Sequence, residues 1–425
     1  MNGTSKPYVK YSTEELMECV DVFNVSAEAQ QKIRQVLDAE KEAPNAGNFF
    51  RYYNPKSKTA KFEQMVCEKT GAKYALAVNS GTSALVAALV AAGVGPGDEV
   101  IVPAYTFFAS ASAVVVARAV PVITEIDETL TLDPAAIEKN ITKRTKAILP
   151  VHMLGLPSKM DEIRRIAAKH NLKIIEDTAQ AFGGKYKGQY LGTLGDLGCI
   201  SLDAYKVIGT GEGGLVLTND EWLYTRAQSY HDAAACWRPD RYARERKAGE
   251  LFCGENYRMP ELCGAVGIAQ LKKLDWINER TRAVWKQLRA EIKLPSCAKF
   301  VECNDDDGVC GYTLGILFET TEQAVSAINA KIGLGGLAAG DTRGVRDWHV
   351  YWNWEQILEQ KTATSEGCPF KCPHIGKLPE YSVDMCPTTK NIMRRLATIG
   401  ISVTHDAAWG SATAAKLTEE LNKLF

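Results

Sequence analysis

A single lysine within the stretch SLDAYKVIGTGEGG, residues 201–214, is the first candidate for chemistry. Lys206 follows a short apolar run and precedes a cluster of glycines. A lysine held at the end of a strand can act as a nucleophile, because its neutral amine attacks carbonyl carbons. The alternative is a surface lysine in front of a flexible loop, since most lysines are exposed. The lysine by itself does not decide between these two interpretations.

The glycines of GTGEGG match a dinucleotide-binding fingerprint only superficially. That fingerprint needs a strand before the glycines and a helix after them, because the helix N-terminus binds the phosphates. Here the glycines lie between two strand-like runs, SLDAYK and GLVLTN, and no helical pattern intervenes. The pattern therefore predicts a tight connection between two strands.

A second candidate is NSGTS, residues 79–83, which lies between a predicted strand and a predicted helix. The N–H groups and the dipole of a helix N-terminus favour an anion. Gly81 permits the close approach of a ligand, and Thr82 and Ser83 add hydroxyl donors. These features predict a phosphate site, although a Ser or Thr that only caps the helix would explain the same residues.

A third candidate is IIEDTAQAFGG, in which Asp177 ends an apolar run. Ligands of open α/β sheets bind at the carboxyl ends of the strands. A carboxylate at that position suits a protonated ring nitrogen or a metal ion, and Gln180 is placed to reach a second polar atom of the same ligand. Asp177 as a helix N-cap is the alternative, and on the local pattern alone it is the favoured one.

The surrounding pattern predicts an α/β fold. Short runs rich in Val, Ile and Leu alternate with helical stretches over residues 60–220. Such strands are buried on both faces of a mainly parallel sheet, which requires helices on both sides. We expect an N-terminal helical segment at residues 1–45, a large domain at 46–285 and a smaller α+β domain at 286–425.

The composition argues against several kinds of partner. The 425 residues include 50 basic and 51 acidic side chains, for a net charge of −1. A chain with this balance is not expected to bind nucleic acid or an anionic membrane. No apolar run is long enough for a membrane span, and no signal peptide is visible, so we expect a cytoplasmic protein. The twelve cysteines are scattered, which favours free thiols.

The stretch CPFKCPH contains Cys368, Cys372 and His374, and Cys386 follows. These residue types bind zinc, but the paired C-x2-C spacing of zinc sites is missing. Free cysteines in an irregular segment are therefore the favoured interpretation, and we predict no metal site.

The order of the candidate segments resembles one known family. The segments are NSGTSAL, DEVIVPAYTF, VHMLG, EDTAQAFGG, SLDAYKVIGTGEGG and GENYRMPELCGAVGIAQL. In this order they look like the DegT/StrS-type sugar aminotransferases, which use pyridoxal 5′-phosphate (PLP) and have PLP fold type I. The resemblance covers about residues 45–420. It implies a mainly parallel, seven-stranded sheet with helices on both faces and a smaller C-terminal α+β domain.

The resemblance implies a role for each candidate residue. Lys206 is the implied catalytic residue, which binds the cofactor covalently and moves a proton. Asp177 would pair with the pyridinium nitrogen, and Gln180 would approach the phenolic oxygen of the cofactor. The implied phosphate-binding residues are Gly81, Thr82, Ser83 and Ser201. Phe107 would stack on the cofactor, and Asn256 would reach the phosphate of a neighbouring subunit, which implies a homodimer with shared active sites.

The implied reaction moves an amino group from glutamate or glutamine to a keto or aldehyde sugar. Tyr205 departs from the family pattern, because many members have Thr or Ser directly before the lysine. Relatives that replace the lysine by histidine are dehydratases, and the presence of Lys206 disfavours that branch. A PLP-dependent lyase would need a catalytic cysteine in a recognisable motif. A PLP-binding regulator would need a DNA-binding module, and neither feature is visible.

The resemblance leaves more than one kind of acceptor open. The segments FFRYYNP and WHVYWNWEQ look more like those of family members that act on free keto-cyclitols or acidic sugars. This resemblance favours an unlinked sugar, such as an oxidised octulosonate that would receive an 8-amino group in lipopolysaccharide biosynthesis. A nucleotide-linked ketosugar and scyllo-inosose are the alternatives. The residues expected to line the acceptor pocket are His349, Trp348, Tyr351, Trp352 and Trp354. Packing in the core of the small domain is the favoured alternative for these aromatic residues.

Overall fold

The computed structural model describes residues 12–39, 57–234, 247–337 and 346–425. The first described range contains two helices, α1 (Thr13–Asp21) and α2 (Ala27–Asp38). The side chain of Ser26 accepts a hydrogen bond from the N–H of Ala29 at 3.3 Å. Ser26 is therefore the N-cap of α2.

A seven-stranded sheet forms the centre of the molecule. Its strands are β1 (Tyr74–Val78), β2 (Glu99–Pro103), β3 (Val120–Thr124), β4 (Thr145–Ile148), β5 (Lys173–Asp177), β8 (Leu197–Ser201) and β9 (Gly214–Thr218). A separate small hairpin consists of β6 (Lys185–Tyr186) and β7 (Gln189–Tyr190). The strand order in the sheet is β1-β9-β8-β5-β4-β2-β3. Only β9 runs antiparallel to its neighbours in this sheet, so the predicted mainly parallel sheet is confirmed.

Helices cover both faces of this sheet. The helices in this part of the chain are α3 (Lys58–Thr70), α4 (Gly81–Ala91), α5 (Ala109–Val116), α6 (Pro134–Asn140), α7 (Met160–His170), α8 (Glu221–His231) and α9 (Glu261–Leu271). Along β2, Val100 and Val102 pack in the same core cluster as α4 and α5, whereas Ile101 packs with α6 and α7. Successive side chains of a strand point to opposite faces, so strands that are buried on both faces must be apolar throughout.

The C-terminal part forms a second, antiparallel sheet. A long helix, α10 (Leu274–Glu291), leads into it, and the predicted boundary at residue 285 falls within that helix. The sheet contains β10 (Ala298–Phe300), β11 (Thr313–Phe318) and β12 (Leu396–Gly400). The helices of this part are α11 (Thr321–Asn329), α12 (Glu355–Leu358), α13 (Pro387–Arg394) and α14 (Ala407–Leu424). Across the described ranges, no helix is both long and apolar enough to cross a bilayer.

Candidate active site

A cavity of about 490 Å³ lies where β5 and β8 of the central sheet end and helix α4 begins. We call it the main cavity. Most of the site residues predicted from the sequence line it, namely Gly81, Thr82, Phe107, Asp177, Gln180, Ser201 and Lys206. Because the carboxyl ends of parallel strands meet at one edge of a sheet, residues that are far apart in the chain come together there.

Asp177 is a buried carboxylate at the floor of the main cavity. Its Oδ2 accepts a hydrogen bond from the hydroxyl of Ser110 at 2.7 Å, and its Oδ1 accepts one from the N–H of Ala179 at 3.0 Å. Burial raises the pKa of Asp177, while the bonds from Ser110 and Ala179 and the positive charge of Lys206 oppose that rise. The carboxylate is therefore held rigidly in a place where a cation from a ligand would relieve its burial.

The N-terminus of α4 faces the end of strand β8. A Cβ atom on Gly81 would lie only 2.6 Å from the Cβ of Ser201, so only glycine lets these two elements approach so closely. The N–H groups of Gly81 and Thr82 occupy the first helical turn, where no intrahelical acceptor is available. This arrangement can bind an anion.

Ser83 lies beside this helix terminus but does not line the main cavity. Its hydroxyl donates to Oδ1 of Asn79 at 2.6 Å, and its N–H donates to the hydroxyl of Ser80 at 3.0 Å. These contacts cap helix α4. Ser83 therefore has a capping role, and its predicted phosphate contact stays a prediction.

Lys206 lies in the connection between β8 and β9. These strands are antiparallel neighbours in which Ser201 pairs with Gly214, and no helix separates them. The predicted direct connection between two strands is confirmed, although it spans residues 202–213 and is longer than a tight turn. A Cβ atom on Gly214 would lie 2.3 Å from the carbonyl oxygen of Ser80, so this glycine packs against the start of α4. Tyr205 is 96% exposed and also lines the main cavity.

Gln180 is held in one orientation by two donors. The N–H of Leu154 donates to its Oε1 at 3.1 Å, and the hydroxyl of Tyr312 lies 3.3 Å from the same oxygen. Tyr312 also donates to the carbonyl oxygen of Gln180 at 2.8 Å, and burial raises the pKa of Tyr312 well above its ordinary value. With Oε1 engaged as an acceptor, the amide nitrogen of Gln180 is left to donate to a ligand.

Phe107 and His349 form an aromatic part of the cavity wall. Phe107 is 48% exposed, and its ring centroid lies 5.4 Å from that of His349. The other aromatic residues of the segment do not line the main cavity. Tyr351 and Trp354 are completely buried, as core packing predicts, and Trp348 packs against Phe108. Trp352 packs against the ring of Tyr351 at 5.4 Å.

Asn256 lies outside the main cavity of its own chain. It is exposed, and its Oδ1 is 3.4 Å from the N–H of Arg258. Its predicted role in the site of a neighbouring subunit stays a prediction. Cys368, Cys372 and His374 form no metal-binding group within the described ranges of the chain.

The sequence patterns missed two buried polar groups that support this site. Glu176 and His152 are fully buried, and Oε2 of Glu176 lies 3.0 Å from Nε2 of His152. The carboxylate of Glu176 also accepts hydrogen bonds from the N–H groups of Gly192, Leu194 and Gly195. The signal that could have revealed this role is a second acidic residue at the end of an apolar strand, directly before Asp177, because buried charges need partners.

The family model for the DegT/DnrJ/EryC1/StrS aminotransferase family matches residues 32–331. The chain belongs to this family. The membership confirms the fold, the enzyme class and the cofactor that the sequence resemblance implied: the protein is a PLP-dependent aminotransferase.

Three relatives of this aminotransferase illustrate the similarity. GDP-perosamine synthase of Escherichia coli O157:H7 is 38% identical over 271 residues, which is 63% of this chain and 70% of the relative. L-Glutamine:2-deoxy-scyllo-inosose aminotransferase of Micromonospora echinospora is 38% identical over 258 residues, covering 58% of this chain and 60% of that protein. The crystal structure of NtdA from Bacillus subtilis, with bound cofactor PMP, is 25% identical with a TM-score of 0.64, covering 86% of this chain and 77% of that one.

The residues of the main cavity fit the cofactor of this family. The anion-binding terminus of α4 at Gly81 and Thr82 suits a phosphate group, and the hydroxyl-bearing Ser201 packs directly against Gly81. Asp177 suits a protonated ring nitrogen. Burial raises the pKa of this carboxyl group, and a cation beside it would favour the charged form and oppose that rise. Lys206 lines the same cavity and can supply the amine for a covalent link.

Proposed function

We propose that this aminotransferase moves an amino group from glutamine or glutamate to a polyhydroxylated keto or aldehyde sugar in amino-sugar biosynthesis. The observation that carries the proposal is the convergence of Lys206, Asp177 and the N-terminus of α4 on one cavity. Support for a sugar acceptor comes from the names of the curated relatives, which include a GDP-perosamine synthase and an inosose aminotransferase.

The residues of the chain divide the chemistry between them. Bound PLP supplies an electron sink that stabilises negative charge on the amino-bearing carbon. Nζ of Lys206 would act as the general acid–base that holds and moves the proton of that carbon. The carboxylate of Asp177 would keep the ring nitrogen of bound PLP protonated, and Ser110 and Ala179 hold that carboxylate in place. The amide nitrogen of Gln180 would be available to donate to the phenolic oxygen of the cofactor.

We propose a neutral, unlinked ketosugar or ketocyclitol as the acceptor. Among the described residues that line the main cavity, only Lys206 and His349 can carry a positive charge. A nucleotide diphosphate needs several cationic side chains or helix termini, and the terminus of α4 is assigned to the cofactor phosphate. The octulosonate acceptor stays a prediction without support among the relatives reported above. Like a nucleotide diphosphate, an octulosonate is negatively charged, because it carries a carboxylate, and it would need a cationic partner.

A nucleotide-linked ketosugar is the second candidate. It is favoured by the 38% identity with GDP-perosamine synthase. The sequence also contains four arginines at positions 238, 241, 244 and 246, outside the described residues, and guanidinium groups bind phosphates.

An acceptor screen tests the proposed function directly. Purified protein, loaded with PLP, is incubated with glutamine or glutamate and with scyllo-inosose, 2-deoxy-scyllo-inosose, an octulosonate aldehyde and a GDP-linked ketosugar, and amino products are identified by mass spectrometry. We expect product from the cyclitols. If none of the tested sugars gives an amino product, the sugar assignment is wrong.

The Lys206→Ala variant tests the catalytic assignment. We expect turnover to fall by about 10²–10⁴-fold or more, because the variant loses both the covalent link and the acid–base group. Lys272→Ala, an exposed lysine next to the end of α9, is the matched control and should keep wild-type turnover. Wild-type turnover by Lys206→Ala would overturn the mechanism.

We also propose a homodimer in which Asn256 completes the site of the partner subunit. Its exposed position outside its own main cavity supports this arrangement. Lys206→Ala and Asn256→Ala should each be inactive as pure proteins. Mixed dimers should regain activity, because one of their two sites contains both natural residues. A monomeric mass by light scattering, or no recovery on mixing and refolding, would contradict the proposal.

A further inference from the structure

A second cavity adjoins the main cavity at His349. It has a volume of about 380 Å³, and we call it the His349 cavity. Its lining includes Tyr105, Leu154, Leu337, Asp347, His349 and Thr398. Gln180, Met153 and His349 line both cavities, so these residues lie at the boundary between them.

Backbone pairing places His349 at this boundary. The segment around Val350 runs antiparallel to the segment around Tyr105. The N–H of Thr106 donates to the carbonyl oxygen of His349 at 2.9 Å, and the N–H of Phe108 donates to that of Trp348 at 3.0 Å. These main-chain bonds fix His349 beside Phe107 independently of its side chain, so a substitution of the imidazole should leave the backbone in place.

Asp347 orients the imidazole of His349. Its Oδ1 lies 2.7 Å from Nδ1 of His349 and accepts a hydrogen bond from the N–H of the same residue at 2.8 Å. Burial acts to raise the pKa of Asp347, but the bonds with His349 lower the pKa below its ordinary value. In the tautomer that places the Nδ1 proton against this carboxylate, Nε2 is left as a hydrogen-bond acceptor.

We propose that the His349 cavity is the binding site for the acceptor and that Nε2 of His349 accepts a hydrogen bond from an acceptor hydroxyl. This inference rests on the proposed function. The occupant is a single polyhydroxylated ring: Thr398 and Asp347 offer polar contacts, while Leu154 and Leu337 can pack against its C–H faces. A volume of about 380 Å³ lies at the small end of ligand pockets, which range over about 300–1,000 Å³.

The α-carboxylate of the amino donor is a weaker match for this residue. A carboxylate would bind well only to a protonated imidazole, and Asp347 already neutralises that charge at 2.7 Å. A hydroxyl group of the acceptor can donate a hydrogen bond to His349 whether or not the Asp347–His349 pair carries a net charge. His349 is therefore assigned to the acceptor half of the reaction, and Asp347 is a positioning residue that acts through it.

The two half-reactions can be measured separately, and they give the test. In the donor half, PLP-loaded enzyme is mixed with glutamine and the change in cofactor absorbance is followed. In the acceptor half, the aminated enzyme is mixed with scyllo-inosose and the reverse change is followed. For His349→Ala we expect the second-order rate constant of the acceptor half to fall about 10-fold, as a lost hydrogen bond predicts, with the donor half unchanged.

Conservative variants show whether the side chains of His349 and Asp347 act through their hydrogen bonds or only maintain the local structure. His349→Gln keeps an acceptor near the position of Nε2 and should restore part of the acceptor rate. Asp347→Asn keeps an acceptor for Nδ1 and should be affected less than Asp347→Ala. His170→Ala, on helix α7 and outside both cavities, is the matched control and should leave both half-reactions at the wild-type rate.

The outcomes distinguish this inference from the proposed function. If wild-type enzyme aminates scyllo-inosose but His349→Ala leaves the acceptor half unchanged, or slows both halves equally, the assignment of the His349 cavity is wrong and the proposed function stands. If the wild-type enzyme completes the donor half but passes the amino group to no polyhydroxy ketone, both the proposed function and the assignment of the His349 cavity are wrong.

Discussion

The hydroxyl of Ser110 lies 2.7 Å from Oδ2 of Asp177 and donates to it, although 67 residues separate the two in the chain. Ser110 also lies 2.7 Å from the hydroxyl of Thr106. Both hydroxyl-bearing residues are almost completely buried. The carboxylate assigned to the cofactor is thus supported by a short chain of hydroxyl groups from the start of α5, and this support can be tested.

Ser110→Ala should weaken cofactor binding. A hydrogen bond to a charged group contributes about 1.5–3 kcal/mol, so we expect the dissociation constant for PLP to rise about 10-fold or more. The loss of the bond also raises the pKa of Asp177 further, because the bond favours the charged form. Titration of cofactor-free protein with PLP measures the effect. Ser112→Ala, on the same helix, should bind like the wild type, and an unchanged dissociation constant for Ser110→Ala would contradict the assigned support.

Asp177→Asn should stabilise the cofactor-free protein while it weakens cofactor binding. Burial raises the pKa of Asp177 above its ordinary value of 3.8, so the folded state binds this proton more tightly than the unfolded state. Ionisation therefore lowers the free energy of unfolding as the pH rises above that ordinary value. The gain from Asp177→Asn should be largest at pH 7–8 and shrink as the pH falls towards 4. Urea unfolding at several pH values measures it, and a gain that grows on acidification would refute the argument.

Gly81→Ala should disturb both stability and the anion site. The added Cβ would lie 2.6 Å from the Cβ of Ser201, which forces the start of α4 away from the end of β8. Overpacking of this kind costs about 1–3 kcal/mol, and PLP affinity should fall with it. Thermal unfolding and PLP titration give the two measurements. Gly95→Ala, where a Cβ would meet nothing within 4 Å, is the control. Equal behaviour of the two variants would show that the close contact is unimportant.

Glu176→Gln should destabilise the fold although Glu176 does not line the main cavity. The carboxylate of Glu176 accepts hydrogen bonds from three backbone N–H groups and contacts His152. In the variant, the amide nitrogen of Gln cannot accept a hydrogen bond, so at least one of these N–H groups would lose its acceptor. We expect a loss of about 3 kcal/mol in the free energy of unfolding. Glu162→Gln, exposed on α7, should change it by less than about 0.5 kcal/mol. Similar denaturation midpoints for the two variants would be the contrary result.

Much of the architecture could be predicted from local pattern. The strand runs before Asn79, Thr178 and Leu202 appear where predicted, and so does the strand connection that contains Lys206. Residues 261–291 form two helices, α9 and α10, with a break after Leu271. Lysines at positions 272 and 273 are good helix formers, so local propensity did not indicate this break.

The candidate site was predicted less completely than the fold. Asp177, Gln180 and Lys206 were found because each follows a strand, and strand ends are visible as the end of an apolar run. Ser110 was missed because its role depends on how α5 packs against β5. Ser83 was assigned to the phosphate because its hydroxyl type is right, but a hydroxyl next to an N-cap is also a capping group, and only coordinates distinguish the two.

The sequence by itself determined the order of strands and helices and the position of Lys206 between an apolar strand and close-packing glycines. It did so because burial pattern and glycine requirements act over a few residues. The tertiary structure decided which distant residues meet: His349 beside Phe107, Ser110 beneath Asp177, and Tyr312 against Gln180. Those pairs depend on how strands and helices pack across the whole chain, and no local pattern records such contacts.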